Sequence, residues 1–224
     1  MTFVRRLYSG RRSICGTDPY ATHVPVLVGL ARLIPVKRVL ELGCGPFSTS
    51  TFLDRFAFPH LTSIDSYETA PDWINRVSAI PGVGDDRRLH IHLADGEMAR
   101  AVRRIDLDGY DLILVDDSTD MASRCRTIRE VVRRVGSYTV VAIHDFEIRE
   151  YRRSARGRQR SFAFTALVPH TGVLSQSVLS RRQLRLLNRV IRRGAPIVNE
   201  SDVAGWIAHF GDSALAPLPV KGNW

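Results

Sequence analysis

Lysine is almost missing from this chain. Lys37 and Lys221 are the only two, although 32 of the 224 residues are basic, so nearly all the positive charge is arginine. Acidic residues number 23, which leaves a net charge of +9. Such a surface can attract nucleic acid, anionic lipid or acidic metabolites. An excess of arginine over lysine also follows from a GC-rich coding sequence, so the charge selects no partner by itself. Cysteine is scarce as well. Cys15, Cys44 and Cys125 are odd in number, far apart and without a Cys-x-x-Cys pair. That argues against a disulfide framework or a cysteine zinc site and suits reduced thiols in a cytosolic protein. No apolar run approaches the roughly 18 residues of a membrane span. None of signal-peptide length follows Arg5, Arg6, Arg11 and Arg12, so a cytoplasmic protein without membrane attachment is expected. Internal repeats are absent, and the length suits one α/β domain with a full core.

What the chain does have is the run Val-Leu-Glu-Leu-Gly-Cys-Gly-Pro-Phe-Ser-Thr-Ser-Thr-Phe-Leu at 39–53. Residues 39–42 read as a short buried strand, Gly43 and Gly45 as a sharp turn, and the segment after Pro46 as a helix. A strand that enters a helix through Gly-x-Gly brings bare backbone, and the free N–H groups of a helix start, close to a ligand. The dinucleotide fingerprint needs a third glycine where Ser48 stands, and the Gly-Lys-Ser/Thr of a P-loop is absent.

Glu41-x-Gly43-x-Gly45 resembles the first motif of the class I S-adenosylmethionine (SAM) dependent methyltransferases, an acidic residue two before Gly-x-Gly at the end of strand one. The resemblance implies SAM as cofactor, held by Glu41, Gly43, Gly45 and the following Phe47, Ser48 and Thr49. It also implies a carboxylate after strand two for the ribose hydroxyls, since two oxygens can accept two vicinal O–H donors. Glu68 fits best, because Glu68-Thr-Ala-Pro-Asp-Trp73 is similar to a Glu-x-x-Pro-Glu-Trp run in that family; Asp65 is the fallback. Asp95 and Gly96 after strand three would face the adenine, and Asp116 after strand four would complete the cofactor site.

Taken in order, residues 1–17 form a basic arm. A helix follows from an Asp18 N-cap to Pro35, with Pro25 kinking or restarting it. Tyr20 and His23, in its first turns, are either surface or packing residues or reach the cofactor. Strands are predicted at 61–68, 88–94, 110–115 and 139–143. Helices are predicted between them, including one at 121–135 with Ile128, Val131 and Val132 inward and its arginines outward. The alternation predicts a parallel sheet with helices on both faces. By the same resemblance it becomes a Rossmann-like sandwich of seven strands closed by an antiparallel hairpin, here at 161–168 and 173–176. The SAM-binding domain is thus 18–178. Residues 179–224 form a helical extension packed on it, with helices at 180–193 and 201–210. The arginine-rich 149–160 reads as a mobile loop or a helix end.

Polar or acidic residues end all five predicted parallel strands, at Glu41, Glu68, Asp95, Asp116 and Asp117, and His144 and Asp145. That edge is where open α/β sheets bind ligands. The chemistry then centres on His144 as general base for a hydroxyl acceptor, with Asp116 and Asp145 beside it. A second device is Mg²⁺ held by Asp116 and Asp145. The metal-free route is preferred here, because Phe146 stands where catechol-type enzymes carry Asn. Neither an Asn/Asp-Pro-Pro-aromatic motif nor a Pro-Cys dipeptide follows strand four, which argues against methylation of nucleic-acid bases. The expected acceptor is a small-molecule hydroxyl on a sugar or secondary metabolite. An RNA-directed enzyme using the arginine-rich segments, and a non-catalytic SAM-binding module, are the alternatives. A homodimer is allowed for.

Overall fold

A computed structural model describes residues 19–194. The predicted N-terminal arm, the Asp18 cap and the helix at 201–210 lie outside the described residues. A 3-10 turn at Pro19–Ala21 leads into α1 (Val24–Leu33). Pro25 stands in the first turn of α1, where its missing N–H costs nothing, so it starts the helix. Then come β1 (Arg38–Leu42), α2 (Ser48–Leu53), β2 (Ser63–Glu68), α3 (Pro71–Ser78), β3 (Leu89–Leu93) and α4 (Met98–Val102). The second half holds β4 (Leu112–Val115), α5 (Met121–Arg134), β5 (Val140–Ile143) and α6 (Arg149–Ser154), then β6 (Arg160–Phe164), β7 (Thr171–Ser175) and α7 (Arg181–Gly194).

The seven strands form one sheet in the order β3-β2-β1-β4-β5-β7-β6. The first five are parallel, and β7 runs antiparallel to both β5 and β6. Side-chain alternation divides the central strands between two cores. Val39, Leu112, Leu114, Val140 and Ala142 join the apolar sides of α1, α2 and α7 on one face. Leu40, Leu42, Ile113, Val115, Val141 and Ile143 join α4, α5 and α6 on the other. Both β4 and β5 are buried along their whole length, as their unbroken apolar runs require. No helix among the described residues is long and apolar enough to cross a membrane.

Of the two readings of 149–160, the helical one holds for its first half: α6 forms there because Tyr151 is buried, its ring 5.4 Å beneath the Arg124 guanidinium. One expectation needs correction, since not all the arginines of α5 face outward: Arg124 is buried. Many of the others tie loops together. Arg32 donates to the Phe56 carbonyl at 2.8 Å, Arg88 to Leu53 at 2.5 Å, and Arg134 to Ile105 at 2.9 Å. The planar fork of several donors suits that work better than a lysine ammonium does.

Candidate active site

The glycine turn after β1 is fixed from below. Glu41, fully buried, accepts hydrogen bonds on Oε2 from the hydroxyls of Thr49 (2.8 Å) and Ser66 (2.5 Å). Ser66 is its register partner on β2. Thr49 Oγ1 in turn accepts the Gly45 N–H at 3.1 Å. A chain of bonds thus runs from the carboxylate to the backbone of the turn. Burial pushes Glu41 up to about 7, against the pull of its hydroxyl donors. Glu41 therefore holds the turn from beneath.

The two glycines differ. Gly43 has φ +92°, and a Cβ there would run into the backbone of Asp116 and Asp117 at the end of β4. The sheet itself requires that glycine, so the space a side chain would fill belongs to the protein. At Gly45 a Cβ would meet only the Ser48 hydroxyl, at 3.2 Å. Ser48 and Thr49 are buried beneath the turn, and Phe47 packs into the apolar core. The indole N–H of Trp73 donates to the Cys44 carbonyl and lays that half-exposed ring against the turn.

The carboxylates of β2 point to opposite faces, as the strand period demands. Glu68 Oε1 accepts the backbone N–H groups of Thr69 (2.7 Å) and Ala70 (3.0 Å); Oε2 takes no part in these bonds. Asp65 has both oxygens engaged elsewhere, with His92 Nε2 at 3.0 Å and the Tyr110 hydroxyl at 3.0 Å. Asp95 and Gly96 are exposed at the end of β3, and Gly96 has φ +77° with open space where a Cβ would stand.

The densest cluster gathers beyond β4 and β5. His144, 3% exposed, has Nδ1 at 3.2 Å from Asp116 Oδ2 and 3.7 Å from Asp145 Oδ1. Its Nε2 lies 2.9 Å from the Thr22 hydroxyl. Arg124, projecting inward from α5, pairs with Asp116 at 2.9 Å and Asp145 at 2.6 Å. Burial opposes charge on His144, but the bond to Asp116 and the charges of Asp116 and Asp145 outweigh it and raise the imidazole's pKa. Burial likewise works against the Asp116 anion, yet the bond from His144 and the charge of Arg124 hold its pKa below the usual carboxylate value. Asp145 adopts φ +56°, uncommon for a residue with a side chain and concentrated at functional sites. Asp117 turns away into the core, where its Oδ2 accepts the Thr127 hydroxyl at 2.7 Å; burial pushes it up to about 6.

His23 stands beside His144, ring centroids 4.8 Å apart and edge to face. It is 2% exposed, and neither ring nitrogen has a hydrogen-bond partner. Burial, and the neighbouring His144, lower its pKa to about 3, so the ring is neutral. Sequence reasoning passed over Thr22 and Arg124 and left His23 open. For Arg124 a signal existed: it lies four residues before Ile128, on the inward face of the same helix. For Thr22 no spacing pointed to a residue after the fifth strand.

No protein-family model matches the sequence, and no curated protein does. Solved structures do match. One is the S-adenosylhomocysteine-bound methyltransferase PaMTH1 of Podospora anserina, with TM-score 0.58 and 13% identity over 78% of this chain and 87% of that one. Another is the O-methyltransferase TomG of Streptomyces achromogenes in complex with SAM, with TM-score 0.54 and 16% identity over 70% and 81%. Spermidine synthase from Thermotoga maritima matches as well, with TM-score 0.54 and 18% identity over 72% of this chain and 62% of its own. Identities this low carry the fold and not the reaction. The strand order, the antiparallel closing hairpin and these likenesses together give the chain the class I SAM-dependent methyltransferase fold.

Proposed function

We propose that the protein transfers a methyl group from SAM to a hydroxyl of a small molecule, a sugar or secondary metabolite. One observation carries the reading. The buried His144 keeps Nδ1 on a carboxylate and Nε2 on a hydroxyl, on the sheet edge that also holds the glycine turn. With its proton on Nδ1, held by Asp116, the ring offers Nε2 as an acceptor for a hydroxyl proton. An acceptor molecule whose hydroxyl takes the place of Thr22 would give that proton to Nε2 as its oxygen attacks the methyl carbon. The O–C bond forms as the S–C bond breaks.

SAM supplies the electrophilic methyl on its sulfonium, and the protein's task is placement. The residues present suit the cofactor. Gly45 and Gly96 leave backbone uncovered, and Glu68 keeps Oε2 for the ribose hydroxyls. Asp116 and Asp145, the carboxylates considered for Mg²⁺, are both paired to Arg124. A guanidinium fixed between the two carboxylates stands in place of an Mg²⁺ that would need both as oxygen ligands, which favours the route without Mg²⁺.

The test is incubation of the protein with methyl-labelled SAM and a panel of hydroxylated sugars and phenols, reading label in product and release of S-adenosylhomocysteine. Label in no acceptor, together with no heat of binding for SAM, would overturn the proposal. For the RNA alternative, a submicromolar affinity that falls steeply with salt is the signature.

A further inference from the structure

A fully enclosed imidazole with both nitrogens unmatched is unusual, because buried polar groups in native proteins nearly always find partners. His23 is such a group, and its surroundings supply a reason. Ligand atoms of His23, Asp116 and His144 all lie within 4.8 Å of one another. Two imidazoles and one carboxylate make a donor set for divalent transition ions, whereas magnesium and calcium prefer oxygen alone. We infer that His23, Asp116 and His144 bind a divalent transition-metal ion.

The spacing suits this. Around an ion with bonds of about 2.0–2.1 Å, neighbouring donors sit roughly 3.3 Å apart. Asp116 Oδ2 and His144 Nδ1 are already 3.2 Å apart, and a His23 nitrogen has to close in from no more than 4.8 Å to complete the set. The outer partners also fit. Arg124 holds Oδ1 of Asp116 and leaves Oδ2 to the ion. The Thr22 hydroxyl can accept the Nε2–H of His144, which leaves the Nδ1 lone pair for the ion.

The binding inference stands apart from methyl transfer, but one consequence rests on that proposal. An ion on Nδ1 places the ring proton on Nε2, where it blocks acceptance of a hydroxyl proton. Metal occupancy and the base role of His144 exclude each other.

The experiment is calorimetric titration of the purified, chelator-treated protein with zinc, and with cobalt followed by its visible absorption. One ion per chain at micromolar affinity or tighter is expected, weakened at least tenfold in His23→Gln. His92→Ala, whose ring pairs with Asp65 outside the site, should bind as the unaltered protein does. Thermal melts establish that each variant is folded. Should His23→Gln not fold, copper(II) spin resonance on the unaltered protein counts the ligand nitrogens, with two imidazoles expected. Absence of zinc binding, fewer than two nitrogens, or unchanged affinity in a folded His23→Gln would each overturn the site. Zinc that binds while SAM and every acceptor fail would leave the site standing and remove the methyltransferase reading. Zinc that binds and raises methyl transfer would overturn the exclusion.

Discussion

Thr22 and His144 are 122 residues apart in the chain and 2.9 Å apart in space. That bond ties the turn before α1 to the end of β5 and presents a hydroxyl to the nitrogen proposed as base. His144→Ala should therefore lower turnover by about 10²–10⁴-fold. SAM affinity, measured by calorimetry, should change little. Full activity in that variant would remove His144 from the chemistry.

The two glycines of the turn should separate fold from ligand. Gly43→Ala forces a side chain into the end of β4 at a positive φ, and a loss of at least about 2 kcal/mol in chemical denaturation is expected. Gly45→Ala crowds only the Ser48 hydroxyl, so it should melt near the unaltered protein yet bind SAM more weakly. Equal SAM affinity in Gly45→Ala would mean the cofactor does not approach that backbone.

Glu68→Ala should weaken SAM binding by roughly 1–3 kcal/mol, the scale of charge-assisted bonds to a ribose. Asp65→Ala should leave SAM binding alone and lower stability instead, because it strips partners from His92 and Tyr110. Paired titrations and melts of the two variants check this, and the reverse ranking would reassign the ribose carboxylate.

Glu41 gives the fold a pH dependence of definite sign. Its folded pKa stands near 7 against an ordinary 4.5, so the folded chain holds this proton more tightly than the unfolded one. Between those values stability falls as pH rises, and the contribution is lost above about 7. Relative to Glu41→Gln, the unaltered protein should lose about 2–3 kcal/mol between pH 5 and pH 8. Asp117, raised in the same direction, is common to both proteins and cancels in the comparison. A difference that does not vary with pH would show the Glu41 carboxyl to be ordinary.

Arg124 carries the charge balance of the cluster. Arg124→Met leaves Asp116 and Asp145 without their shared cation, and a destabilisation of about 3–5 kcal/mol is expected in chemical denaturation. A change below about 1 kcal/mol would show that water already neutralises the two carboxylates.

The sheet was legible because its signals are local. The Glu41–Gly43–Gly45 spacing, the apolar runs at 112–115 and 140–143 and the polar strand ends are each contained in a few residues. The face of Asp65 followed from strand period alone once the end of β2 was known. Thr22 and His23 were not legible, since their partners lie beyond five strands and no period links them to His144. Arg124 was misread because arginine prefers water, and only a pair of carboxylates arriving from two other loops makes its burial acceptable. Reactive clusters of this kind are built between segments, and pairing rules within one segment do not reach them.

The parallel order of β1 to β5 has a consequence for the timing of folding. Each parallel pair needs a crossover, and the contact between Thr22 and His144 spans all of them. Chains dominated by such distant pairings fold slowly, because loop-closure entropy is spent before the contacts that offset it form. A half-assembled chain would have its glycine turn but no histidine opposite it. Recovery of the proposed activity during refolding should then trail the recovery of helix and strand signals, and arrive with the last strand to dock.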